Sequence, residues 1–239
     1  MNKRIRHFAI STAFLLISTA IYAQYPSAQE TLSKVETYYQ TVNEYSLQVE
    51  YKMYRGYSGN EVTESYKGFM SKFGDISQTE ILGSQILQFP EAQLVIDSKN
   101  KTLTYRKTSR DVAQKLPMDI STFLKFYEET ATNIKGNILI YEMKLKNSQI
   151  PLPYNRLLIH VNKDTYEIEK QVLFFATKVP FVDESGKETL DSARMEITLK
   201  NNSIKQRVPR LNDFVVVEDR KPHLTKAYQA YTIIDQTNL

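Results

Sequence analysis

The chain has 239 residues, with 31 Lys and Arg against 27 Asp and Glu and no cysteine. Lys3, Arg4 and Arg6 lie in the first few residues; without them 28 bases face 27 acids, a net charge of +1 that gives no argument for nucleic acid. Lack of thiols excludes disulfides and tethering through a lipidated N-terminal cysteine, so the fold must rest on its own core.

The chain opens with those three bases, then a mostly apolar run from Phe8 to Tyr22, then Ile21-Tyr22-Ala23 before Gln24. This order predicts a secretory signal peptide over residues 1–23, because the apolar run falls short of the roughly 20 residues a spanning helix needs. The expected mature chain, 24–239, is about 216 residues, enough for one β-rich domain. No later segment is expected to span a membrane, and the expected location is the periplasm, with secretion beyond it as the alternative.

From Gln29 to Asn43, Leu32, Val35, Tyr38, Tyr39 and Val42 recur at spacings of three and four, which predicts an amphipathic helix. Alternation then takes over. Leu47, Val49, Tyr51 and Met53 alternate with Gln48, Glu50 and Lys52, predicting a strand over 46–55 with one buried face. Gly56-Tyr57-Ser58-Gly59-Asn60 turns the chain into a strand over 62–73, and Gly74-Asp75 into a third ending near Leu82. Gly83 and Pro90 mark a loop, and residues 93–107 form a hairpin around Ser98-Lys99-Asn100-Lys101.

Arg110 to Leu116 reads as a short helix ended by Pro117. Asp119 caps another, in which Ile120, Phe123, Leu124 and Tyr127 share a face. A second set of strands starts near Asn137 with Ile138, Ile140 and Met143 expected on one face. It continues as a hairpin of Arg156–Val161 and Tyr166–Ala176, with a strand over Ala193–Leu199. Val179 to Asp191 reads as a long loop. Phe214–Val217 and Tyr231–Ile234 are short strands separated by Lys221-Pro222.

No catalytic or metal motif emerges. Only His160 and His223 survive removal of the leader, so neither a multi-histidine zinc site nor HExxH spacing exists, and His160 reads as structural. Gly56-Tyr57-Ser58-Gly59 lacks the spacing and the strand-to-helix elbow of a serine nucleophile. No cofactor is implied, and no carboxylate pair is singled out for hydrolysis. Sixteen tyrosines and eleven phenylalanines suit sheet packing or a lined cavity. An apolar cavity needs no motif to hold lipid.

Three stretches carry a family likeness: Tyr66-Lys67-Gly68 with Lys72-Phe73-Gly74; Ile96-Asp97 with Lys101-Thr102-Leu103-Thr104-Tyr105; and Leu157 to Ile168 with Ile197 and Asp213-Phe214. Together with the order of helix, meander, helices and meander, the chain resembles the periplasmic lipoprotein carriers of the LolA type and the related LolB-like folds. It departs from them at Phe73 and Ser77, which stand near the positions of a proline and a lid-latching arginine. The resemblance implies an α+β, mainly β fold: a curved antiparallel half-barrel sheet with an N-terminal helix and short central helices on its concave side. It also implies an acyl chain or a lipidated protein as ligand. The expected cavity wall is Leu47, Val49, Tyr51, Ile81, Leu94, Ile96, Leu103 and Tyr105, with Phe123 and Tyr127 from a helical lid. The alternative is a non-enzymatic accessory of an envelope secretion or surface-assembly machine, engaging a protein partner through an edge strand or the loops Lys146–Tyr154 and Val179–Asp191.

Overall fold

The structure is a computed structural model that describes residues 25–108, 120–183, 185–202 and 207–237. The expected signal peptide and the expected helix of 110–116 lie outside these residues. In chain order the elements are α1 (Ala28–Thr41), β1 (Glu44–Arg55), β2 (Val62–Phe73), β3 (Ile76–Ile81), β4 (Ser84–Gln88), β5 (Ala92–Asp97) and β6 (Thr102–Lys107). Then come α2 (Ile120–Phe126), β7 (Tyr127–Lys135), β8 (Ile138–Leu145), β9 (Tyr154–Asn162), β10 (Ile168–Phe175), β11 (Val179–Val182), β12 (Glu188–Asp191) and β13 (Ala193–Asn201). The last are β14 (Val215–Glu218), β15 (Lys221–Leu224) and β16 (Thr232–Asp235).

Twelve strands join one curved sheet in the order β16-β6-β5-β4-β3-β2-β1-β13-β10-β9-β8-β7, antiparallel except for β16 against β6, and it does not close into a barrel. β1 lies centrally because it pairs with β2 along one side and with β13 along the other. Gly68 lets β2 bend toward β3, since a Cβ there would sit 2.1 Å from the Glu80 carbonyl oxygen.

α1 begins with a capping box: Ser27 Oγ accepts from the Glu30 amide, and the Ser27 amide donates to the Glu30 carboxylate. Its stripe of Ala28, Leu32, Val35 and Tyr39 is buried on the sheet. The Ala28 amide donates to Glu129 of β7 over 2.7 Å, while at the other end Lys72 Nζ of β2 donates to the Tyr39 and Gln40 carbonyls. Fourteen residues of helix measure about 21 Å, whereas the seven strands from β7 to β2 would span about 29 Å if flat. Curvature toward the helix and the reach of the two side chains close that difference.

Partners in a sheet register share a face. Leu47 pairs with Met70, Val49 with Leu199, Tyr51 with Ile197, Gln171 with Ile159, and Tyr141 with Ile159, so all these side chains project toward α1. A first core forms there from α1, from Ile120, Phe123 and Tyr127, and from Leu139, Tyr141, Met143, Leu157, Ile159 and Val161. Along β2 to β6 the chain Ser71, Gln78, Leu87, Leu94 and Tyr105 is likewise in register, but Ser71 has the opposite parity to Met70. Leu87, Leu94, Ile96, Leu103 and Tyr105 therefore build a second core on the other face, closed by Leu211, Phe214, Val215, Leu224, Tyr228 and Tyr231. One sheet thus carries two cores on opposite faces.

Four sequence expectations are corrected. Val179–Val182 and Glu188–Asp191 pair as a β-hairpin where the sequence predicts a loop, and Ser84–Gln88 is a strand where the sequence predicts a loop. Lys221-Pro222 opens β15 instead of separating strands. In β8 the inward residues are Leu139, Tyr141 and Met143, so Met143 does not share a face with Ile138 and Ile140; both alternate sets are apolar and the β9 register decides between them. β7, missed from the sequence, is an edge strand whose exposed residues carry no apolar alternation.

Candidate functional site

The expected wall residues divide between the two faces. Leu47, Val49, Tyr51 and Ile81 project on the α1 side, where Phe123 of α2 and Tyr127 stack with ring centroids 4.8 Å apart; Tyr127, expected on the helix, opens β7 instead. Leu94, Ile96, Leu103 and Tyr105 are buried on the opposite side beneath residues 211–231. Their alternation is correct, but they do not share a space with the first set. Leu47, Phe123 and Tyr127 are buried in the first core, and the Tyr127 hydroxyl donates to the Tyr154 carbonyl at 2.7 Å.

What the α1 face does offer is a cross-strand row. Leu47 lies opposite Met70, Met70 opposite Thr79, Thr79 opposite Ile86, Ile86 opposite Val95, and Val95 opposite Thr104. Leu47 is buried under α1, but Met70, Thr79, Ile86 and Val95 are only half-buried and the apolar ones belong to neither core. Tyr51, Met53, Ile81 and Met195, on the same face and also half-buried, widen the row into an apolar band. From β1 to β5 it runs about 19 Å.

A polar row lies alongside. Lys72, Ser77, Gln88, Gln93 and Arg106 are opposite one another in turn, with Gln93 Nε2 donating to Gln88 Oε1 at 3.1 Å. Lys72 is committed to the end of α1, and burial pushes its pKa below the ordinary lysine value while Asp75 opposes the shift. Arg106 is exposed and donates to Gln236. The pattern is a long apolar track with amide and cationic groups along one side, suited to a chain-like amphiphile. Met70, Ile86 and Val95 escape sequence reasoning because Val95 alternates with the more hydrophobic Leu94 and Ile96, and only register reveals that it faces the helix.

His160 lies on the face away from α1, opposite Lys170, with Nε2 buried and unpartnered. Burial and the Lys170 charge push its pKa down, against Glu196. Burial raises the Glu196 carboxyl, yet the hydrogen bonds and charges of Lys170 and Arg194 outweigh it and hold the pKa low. Among the described residues no three His, Cys, Asp or Glu side chains group as metal ligands. Among them, too, no helix is long and apolar enough to cross a membrane.

No family model matches the chain, and no curated protein does. It is similar to solved structures at low identity. An uncharacterized conserved protein from Thermus thermophilus aligns at 11% identity and a TM-score of 0.44, covering 87% of this chain and 99% of that one. A putative outer membrane lipoprotein-sorting protein domain from Vibrio parahaemolyticus aligns at 10% identity and a TM-score of 0.34, over 77% and 94%. A LolA superfamily protein from Nitrosomonas europaea aligns at 13% identity and a TM-score of 0.26, over 75% and 96%.

Proposed function

We propose that this chain is a periplasmic protein that binds the acyl chain of a lipid or lipidated protein on the α1 face of its sheet, as one domain after a cleaved leader and without covalent chemistry. The observation that carries the reading is the row Leu47, Met70, Thr79, Ile86 and Val95, which starts at Leu47 beneath α1 and is half-open to solvent over the next four strands, β2 to β5. Roughly fourteen methylenes laid along it would contribute up to about 11 kcal/mol at ~0.8 each. Against an association cost of about 4 kcal/mol or more, the surplus of about 7 kcal/mol corresponds to a Kd near 10 μM.

Titration with a fluorescent fatty acid tests it. Binding in the micromolar range is expected, and Ile86→Lys should weaken it at least tenfold while Val216→Lys, on the exposed face of β14, leaves it unchanged. No saturable binding by the wild type, or equal binding by both variants, overturns the reading. The accessory role, with a protein partner, is favoured by a different surface: the hairpin of β11 and β12.

A further inference from the structure

The β11–β12 hairpin leaves the main sheet between β10 and β13, and among the described residues the Arg55 side chain anchors it. Arg55 at the end of β1 donates from Nε to Asp191 at 3.0 Å and from Nη2 to Thr189 at 2.9 Å, and its guanidinium lies 5.5 Å from the Phe181 ring centre. Phe181 is thereby buried, at 8% exposure. The register pairs Phe181 with Thr189 and Val179 with Asp191 on this anchored face, and Pro180 with Leu190 and Val182 with Glu188 on the other. On that outer face Val182 is 67% exposed and Leu190 62%, with Pro180 exposed beside them. A two-stranded ribbon is marginal by itself, so the Arg55 anchor holds in place a surface that contributes nothing to the core.

Its two edges differ. The Asp183 amide donates to the Lys187 carbonyl, which fixes the alternate pairs Phe181–Thr189 and Val179–Asp191 as the hydrogen-bonded ones. The backbone groups of Glu188 and Leu190 therefore point away from β11, and those of Pro180 and Val182 point away from β12. Pro180 has no N–H, so the β11 edge is short of a donor while the β12 edge is complete. Among the described residues neither edge is paired.

Three occupants compete for this surface. The tip carries Asp183, Lys187 and Glu188, charges that oppose insertion into a bilayer. The three apolar side chains offer roughly 300 Å² per molecule, well under the ~800 Å² per partner of a stable dimer. A short extended segment of another protein fits both limits. We infer that β12 is a docking strand: a partner segment with alternating apolar residues adds to its free edge as a third strand, packs its apolar side chains beside Leu190 and extends the outer face that Val182 shares.

The test places a photoreactive benzoyl-phenylalanine at position 182 or 190 of the full chain in the cells that make it, with position 217 as control, since Val217 is 44% exposed on a separate hairpin. The expected result is a protein adduct at both hairpin positions and not at 217, mapped to one alternating apolar segment of the partner. That segment, made as a synthetic peptide, should bind the purified chain at least tenfold more weakly when Val182→Lys and Leu190→Lys are combined. Glu188→Pro, which removes an edge N–H and leaves the apolar face intact, should weaken it similarly. Adducts only with phospholipid, only with a second copy of the chain, or no stronger than at 217 overturn the inference, as does a peptide bound equally by Glu188→Pro. Circular dichroism and fatty-acid titration of each variant report the fold and the acyl site separately.

Discussion

Val95 and Ile96 are sequence neighbours on opposite faces of β5, and truncating them one at a time separates the two faces energetically. Ile96 is 2% exposed in the second core, between Leu87, Leu103 and the segment of residues 211–231. Ile96→Ala removes buried methylenes and leaves a cavity that the surrounding strands only partly close, at a cost of about 3 kcal/mol. Val95→Ala removes less, from a half-buried site, and should cost about 1 kcal/mol or less. Urea unfolding reads the difference: with a slope of roughly 2 to 3 kcal/mol/M for a chain of this size, the midpoint should fall by about 1 M for Ile96→Ala and by less than half that for Val95→Ala. Acyl binding should show the reverse order, lost with Val95→Lys and retained with Ile96→Val. Equal destabilisation by the two alanines would refute the assignment of faces.

Three further outcomes follow from named contacts. Lys72→Met keeps the buried stem but leaves the Tyr39 and Gln40 carbonyls without their donor, and should destabilise by about 2 kcal/mol in urea unfolding; a change under about 0.5 kcal/mol would show that water replaces it. His160 has a pKa below the ordinary 6.5, so the unfolded chain binds the extra proton first as pH falls. Wild-type stability should decline as pH drops below 6.5 and before the carboxylates titrate, His160→Gln should flatten that decline, and an unchanged slope would count against it. Arg55→Gln loses the ion pair to Asp191 and the contact with Phe181; limited proteolysis should then cut between residues 179 and 191 faster, with the global unfolding midpoint moved little.

Much of the architecture was legible because both periodicities are strong. The stripe of Leu32, Val35 and Tyr39 announced α1, and the alternations in β1, β5 and β6 announced strands with a dry face. What could not be read was which dry face. Leu47 and Leu94 obey the same period of two, but whether they share a side depends on the parity of every turn between them, and that is a property of register, fixed residue by residue across β2, β3 and β4. The same gap inverted β8, where Ile138 and Ile140 compete with Leu139 and Tyr141. β7 and the β11–β12 hairpin escaped notice for another reason: an exposed edge strand and a ribbon held by a single arginine bury too little to impose a pattern. The candidate site lies where these limits meet, on residues whose face only the register fixes.

The acyl row is tested most directly by photolabelling the purified chain with a diazirine-bearing fatty acid and mapping the labelled residues by mass spectrometry. Labels should fall on Met70, Ile86, Val95 and their neighbours Tyr51 and Met53. Labels on Ile96, Leu103, Tyr105 or residues 211–231, or none that excess unlabelled fatty acid removes, would contradict the account.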